Sequence, residues 1–217
     1  MWREELITGA RLLGLELSTQ QIEQFTLYLA ELKRWNKTYS LTTITEPLEV
    51  VNKHFLDSLN YLAPLAGVQE ILDLGSGPGF PGLPLAILLP QTKFVLLDAR
   101  RKKTIFLTFI TQQLDLKNVE VIHLHLNPGN ARTTFEHGFP VIVTRAVTIL
   151  RDVVPIASNL LTVGGQLIFT DAHPDRQKIE KELEKWPNLT LEKLENTKLS
   201  GRAPGLYLGI IRKTGAR

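Results

Sequence analysis

Ile71-Leu72-Asp73-Leu74-Gly75-Ser76-Gly77-Pro78-Gly79-Phe80-Pro81-Gly82 constrains this chain more than any other stretch. An apolar run that ends abruptly in four glycines reads as a buried strand turning tightly into a helix. Glycines at 75, 77 and 79 permit positive φ and let backbone approach a ligand with no Cβ in the way. A helix starting just beyond them presents free N–H groups at its positive end. Asp73 stands two residues before the first glycine. Asp98 closes the next apolar run, Phe94-Val95-Leu96-Leu97, at the spacing where nucleotide-binding α/β folds hold a ribose.

Gly77 to Gly82 satisfies G-x-G-x-x-G, a pattern shared by dinucleotide enzymes and S-adenosylmethionine (SAM) enzymes. Asp73 favours SAM. A carboxylate beside the turn repels a pyrophosphate, whereas the methionine end of SAM carries an ammonium and a sulfonium that it attracts.

The 217 residues, 43% apolar, suffice for one α/β domain and an appendage. The absence of cysteine excludes disulfides, thiolate metal sites and thiol nucleophiles, and suits a cytoplasmic protein. Met1-Trp2-Arg3-Glu4-Glu5 is charged from the start, so neither a signal peptide nor a membrane span is expected. A net charge of +3 permits a polyanionic partner without requiring one.

Residues 1–65 form an N-terminal helical segment by pattern. Leu6, Ala10 and Leu13 share a face that Gly14 ends, and Ser18-Thr19-Gln20-Gln21 resembles a capping box before Ile22, Phe25, Leu29 and Leu32. Lys33, Arg34 and Lys37 either complement the negative end of that helix or contact phosphates. Asn36 to Ser40 reads as a loop. Thr45-Glu46-Pro47 opens a third helix that turns Val51, Phe55, Leu59 and Leu62 inward, with His54 and Asp57 as a surface i,i+3 pair able to hydrogen-bond.

Residues 66–217 alternate strand and helix, which argues a parallel sheet covered on both faces. The strands expected are 71–74, 94–98, 119–123, 141–144, 167–170, 191–194 and 206–211, five parallel and then an antiparallel pair. Helices are expected over 81–89, 101–114, 150–161, ended by Val163-Gly164-Gly165, and 174–186. Ligands bind beyond the carboxyl ends of such strands. That rule selects Asp73 to Phe80, Asp98, Leu126-Asn127 and Thr144-Arg145.

The residues at this point match a family. Trp35-Asn36-Lys37-Thr38-Tyr39-Ser40-Leu41-Thr42, His54-Phe55-Leu56-Asp57-Ser58-Leu59, the stretch from Asp73 to Leu85, and Thr144-Arg145-Ala146 resemble four motifs of the RsmG (GidB) family of small-subunit ribosomal RNA guanine-N7 methyltransferases. The resemblance implies a Rossmann-like class I SAM-dependent methyltransferase fold, a seven-stranded sheet with an N-terminal helical segment. It implies SAM as cofactor, held by Gly75, Phe80, Leu126, Asn127 and Arg145, with Asp98 as ribose ligand; Asp73, Gly77 and Gly79 complete the expected set. Substrate-side candidates are Lys37, His54, Arg100, Arg101 and Arg202, within a basic group that also contains Lys33, Arg34, Lys102 and Lys103. The partner implied is small-subunit ribosomal RNA or a ribosomal particle, bound by a monomer without metal or membrane. No acid or base is assigned, because guanine N7 has a free lone pair.

Two departures stand out. Where the family has an acidic residue after the third strand, this chain has Asn127, with Asn130 as an alternative for the adenine contact; where it often has lysine and glycine after the fifth, this chain has Asp171-Ala172. Rival readings are an NAD(P)-dependent oxidoreductase and a non-catalytic RNA- or ribosome-binding module on the same fold.

Overall fold

The computed structural model describes residues 1–145, 150–197 and 205–215. Its seven-stranded sheet comprises β1 (Glu70–Leu74), β2 (Lys93–Asp98), β3 (Val119–His123), β4 (Phe139–Arg145), β5 (Leu161–Asp171), β6 (Leu189–Asn196) and β7 (Tyr207–Lys213), in the order β3-β2-β1-β4-β5-β7-β6. β1 to β5 pair in parallel and β7 runs antiparallel to both β5 and β6, as the sequence predicts. The inner strands read as unbroken apolar runs because both faces are covered. In β2, Phe94 and Leu96 enter one core cluster while Val95 and Leu97 enter the other.

The first cluster lies under α1 (Trp2–Leu12), α2 (Thr19–Tyr39), α3 (Pro47–Val50), a π-helical stretch (Val51–Leu56), α4 (Asp57–Leu59) and a 3₁₀ turn (Ala63–Leu65), together with α5 (Gly82–Leu88) and α6 (Arg101–Gln113). Leu6, Phe25, Phe55 and Leu59 thus share one core with Ile71, Leu96 and Ile168 of the sheet. The second cluster packs under α7 (Ala131–Thr134), α8 (Leu150–Leu160) and α9 (Arg176–Leu183). Among the described residues no helix is long and apolar enough to cross a membrane.

The chain winds outward from β1 through β2 to β3, then returns to place β4 on the other side of β1. This switch sets the end of β4 beside the glycine turn: Thr144 Oγ1 donates to Leu74 O at 2.9 Å.

Three local readings need correction. Asn36 to Tyr39 is not loop but the last turn of α2, because Trp35 and Tyr39 stack at i,i+4 with centroids 5.2 Å apart. The helix ends at Ser40, which is left-handed (φ 48), and Asn36 Oδ1 then accepts the Thr42 N–H at 2.8 Å. The capping box is present, with Ser18 and Gln21 bonded reciprocally. Val163-Gly164-Gly165 lies inside β5, which begins at Leu161. The register shifts from Phe139↔Leu161 to Val141↔Gln166, so β5 bulges there, and a Cβ on Gly165 would sit 3.0 Å from Pro140 O. The late helix is shorter than 174–186, covering Arg176–Leu183 after an Asp175 cap.

Candidate cofactor and substrate site

Every N–H along the glycine turn is already committed. Gly75 and Ser76 donate to Leu97 O at 2.8 and 3.0 Å, and Gly77 donates to Asp98 Oδ2 at 2.8 Å. Gly79 and Phe80 donate to Ser76 O, Gly82 to Asp73 Oδ2 at 2.9 Å, and Leu83 to Gly79 O. Prolines fill the remaining positions, 78 and 81. The helix therefore presents no free N–H groups, contrary to the expectation from the motif, because a carboxylate from β1 caps it from behind. A turn with no donors left is a poor cradle for a pyrophosphate.

Two of the glycines serve different ends. Gly75, at φ +78, has open space where a Cβ would stand and lines a cleft. Gly79, at φ +112, has none: a Cβ there would lie 2.5 Å from both the Tyr28 hydroxyl and Leu83 Cδ1. Gly79 and Phe80 thus pack against the helical layer, where Tyr28 also donates to Pro78 O at 2.6 Å.

Asp73 is wholly buried on that same side, so it does not meet a ligand's ammonium as the sequence suggested. One oxygen takes the Gly82 N–H and the other, Oδ1, has no partner. Burial pushes its pKa up to about 7, against the Gly82 hydrogen bond that lowers it.

The cleft, about 230 Å³, opens between the carboxyl ends of β1, β2 and β4 and the side of α8. Leu74, Leu97, Leu126 and Ile156 make its walls apolar, and Arg145 and Asp152 supply charge of opposite sign. Asp98 sits beside it with one oxygen on the Gly77 N–H and the other on the Arg100 N–H, each at 2.8 Å. Each oxygen keeps a second lone pair. Asn127 is differently placed from expectation: its Oδ1 accepts the Gly129 and Asn130 N–H groups at 2.9 and 3.1 Å, which fills both lone pairs. Asn130 in turn accepts the Asn127 N–H and donates to His125 O, so the two amides close the loop on each other.

Arg145, half-buried, stands where the cleft meets the helical layer. Its Nη2 lies 2.9 Å from His54 Nδ1, its guanidinium carbon lies 5.6 Å from the Phe80 ring centroid, and Nη1 is buried without a partner. His54 stacks on Phe80 with centroids 4.4 Å apart. Nδ1 lies between that guanidinium donor and the Lys53 carbonyl, an acceptor at 3.0 Å, and Nε2 lies 3.0 Å from Thr42 Oγ1, a hydroxyl that can donate or accept. Burial first, and the charge of Arg145 second, push the His54 pKa down to about 3. The expected hydrogen bond between His54 and Asp57 is absent; His54 turns to Arg145 and Thr42 instead.

Sequence reasoning missed Tyr61 and Asp152. The Tyr61 hydroxyl donates to Thr144 O at 2.6 Å and lies 2.9 Å from Thr170 Oγ1, tying the helical layer to the ends of β4 and β5. Tyr61 lies in the turn just beyond α4, so no helical spacing marked it.

Among the basic candidates, Lys37, Arg100 and Arg101 are exposed. Arg101 joins Trp35, Ile105, Phe109 and His123 in a groove of about 660 Å³ along α6. Lys103 does not belong with them: it is buried, with Nζ on Leu41 O. Arg202 lies outside the described residues.

Comparison with known proteins identifies the family and the fold. The family model described as "rRNA small subunit methyltransferase G" matches residues 21–206. "Ribosomal RNA small subunit methyltransferase G" of Pseudomonas syringae pv. syringae is 41% identical over 177 residues, 81% of this chain and 80% of that protein. The protein of the same name from Ectopseudomonas mendocina is 45% identical over 150 residues, 69% and 68% of the two chains. The fold is similar to that of a putative O-methyltransferase from Klebsiella pneumoniae (TM-score 0.61, 14% identity, 87% of this chain and 90% of that one). It is also similar to a SAM-dependent methyltransferase from Aquifex aeolicus (TM-score 0.56, 14% identity, 75% and 92%). The fold is the Rossmann-like class I methyltransferase fold, and the chain belongs to the rRNA small subunit methyltransferase G family.

Proposed function

We propose that this chain transfers a methyl group from SAM to N7 of a guanine in small-subunit ribosomal RNA. The observation that carries the reading is the cleft at the strand switch: apolar walls, one cation with an unused donor, and a glycine turn with no N–H left for phosphate. These residues fit SAM. Leu74, Leu97, Leu126 and Ile156 offer apolar surface to the adenine, the spare lone pairs of Asp98 suit ribose hydroxyls, and Nη1 of Arg145 suits the methionine carboxylate. Asp152, rather than Asp73, is the carboxylate on hand for the ammonium.

When bound, SAM supplies an activated methyl group on a sulfonium. Guanine N7 carries an in-plane lone pair, so no proton has to leave before it reacts and no general base is needed. The work left to the protein is alignment and exclusion of water. His54 contributes by staying neutral: it holds Arg145 without adding a second positive charge near a base that becomes cationic.

The substrate is small-subunit rRNA, free or in a ribosomal particle, engaged in the cytoplasm by a monomer whose exposed Lys37, Arg100 and Arg101 reach phosphates. One observation favours a second reading, a non-catalytic RNA-binding module: the carbonyl of Asn127 is spent within its own loop. SAM binding separates the two. In a calorimetric titration SAM binds and NADH does not, and SAM at a hundredfold excess over its Kd raises stability by about 2.7 kcal/mol. Binding of NADH without SAM contradicts the proposal.

A further inference from the structure

We infer that the groove along α6 holds a single-stranded stretch of the RNA substrate beside the target guanine, with bases on its apolar floor and phosphates on the cations at its rim. The inference rests on the RNA substrate of the reading above and assigns the path by which that strand leaves the site.

One stripe of α6 builds the groove. Arg101, Ile105, Thr108, Phe109 and Gln112 recur along it at helical spacing, joined by Trp35 of α2 and by Val121 and His123 of β3. From Arg101 to Gln112 the helix runs about 16 Å, the length of about five stacked nucleotides.

A solvent-facing stripe of a surface helix is ordinarily polar, and this one is not. Ile105 is 46% exposed, although the opposite face of α6 already fills the core with Phe106, Leu107 and Ile110. Phe109 lies 5.0 Å from Trp35, and Trp35 stacks on Tyr39, itself exposed. These rings carry the apolar surface from α6 across to the end of α2.

Charge selects the occupant. Among the described residues no carboxylate lines the groove, whereas Arg101 does. The Arg34 guanidinium lies 5.5 Å from the Phe109 ring centroid, though it is also paired with Glu31, and Lys37 and Lys102 are exposed nearby in sequence. Rings beside cations suit single-stranded nucleic acid, whose bases offer flat apolar faces and whose phosphates carry the charge. A duplex keeps those faces stacked inside and gains only the phosphate contacts.

Continuity with the cleft places the strand. His123 lines the groove with its Nε2 3.2 Å from Ala99 O, and Ala99 lines the cofactor cleft. The groove therefore opens at the carboxyl edge of the sheet, next to the cofactor, and a strand lying in it leads directly from the site.

The test is fluorescence anisotropy of an end-labelled, single-stranded oligouridine of about ten nucleotides. Ile105 is the position to change, because its side chain is exposed and stands outside the core. Ile105→Glu sets a negative charge in the groove and weakens binding at least about tenfold. Ile105→Lys binds at least as tightly as the wild type and steepens the log-log salt slope by about 0.7, the mark of one more phosphate contact. Both variants bind SAM as the wild type does in calorimetry. An Ile105→Glu protein that holds the strand as tightly as the wild type overturns the inference. Equal weakening by glutamate and lysine also overturns it, since an apolar protein partner and not a phosphate strand would then fit the groove. So does a preference for an RNA duplex of the same length. The expected strand binding in a protein that transfers no methyl group supports the groove and contradicts the proposed function.

Discussion

Nη2 of Arg145 lies 2.9 Å from Nδ1 of His54, and this contact adds to burial in keeping the ring neutral. The imidazole holds the guanidinium at the mouth of the cleft. Because the folded pKa of His54 is depressed to about 3, its contribution to stability is fully present above the unfolded value of about 6.5. That contribution is lost as pH falls from there toward 3. Nitrogen NMR of the imidazole should show a neutral ring unchanged from pH 5 to 8, and a ring that protonates near pH 6 contradicts it. His54→Ala leaves Nη2 without a partner and should cost about 2–3 kcal/mol in urea unfolding.

Asp73 gives the opposite sign. Its folded pKa of about 7 is raised by burial, so its contribution is fully present below the unfolded value of about 3.9 and is lost as pH rises through 7. Asp73→Asn keeps an oxygen for the Gly82 N–H and removes the buried charge. Between pH 5 and 7 the variant should gain on the wild type by about 1.4 kcal/mol per pH unit. A difference that stays constant over this range means Asp73 is ionised throughout.

How much of this was legible beforehand follows from where each force acts. The strands could be read because burial on both faces leaves unbroken apolar runs, and the turn could be read because glycine is needed in person at Gly75 and Gly79. Asn36 to Tyr39 misled because polar residues with a serine suggest a loop, while the stacking of Trp35 on Tyr39 carries the helix through. The roles of Asp73 and Asn127 were not legible. Both types of side chain suit a ligand, and only the folded path shows that Asp73 meets a helix end nine residues on and that Asn127 meets its own loop. The tie from Tyr61 to Thr144 spans 83 residues and leaves no local pattern.

Asn127 and Asp98 should therefore differ in their effect on cofactor binding. With its oxygen committed to the Gly129 and Asn130 N–H groups, Asn127→Ala should weaken SAM by less than about tenfold, through a loosened loop alone. Asp98→Ala removes the acceptor for ribose hydroxyls and frees the Gly77 N–H, and should weaken SAM by more than tenfold. Side-by-side titrations decide this; a larger loss at Asn127 means its amide does contact the adenine.

The exposed cations predict a salt dependence. RNA affinity should fall with ionic strength by about 0.7 in log-log slope for each single-strand phosphate contact, so replacing Lys37, Arg100 and Arg101 together by glutamine should flatten the slope by about 2. Lys103→Gln should leave the slope alone and lower stability instead, since Lys103 is buried against Leu41. Affinity that is flat with salt removes the whole group from the interface.

The central claim is methyl transfer to guanine N7, and it is tested most directly by mass spectrometry of small-subunit rRNA incubated with the protein and SAM labelled in its methyl group. The account predicts one labelled methyl on a guanosine that becomes labile to reduction and aniline cleavage. An unlabelled RNA, or a labelled base that resists this cleavage, contradicts it.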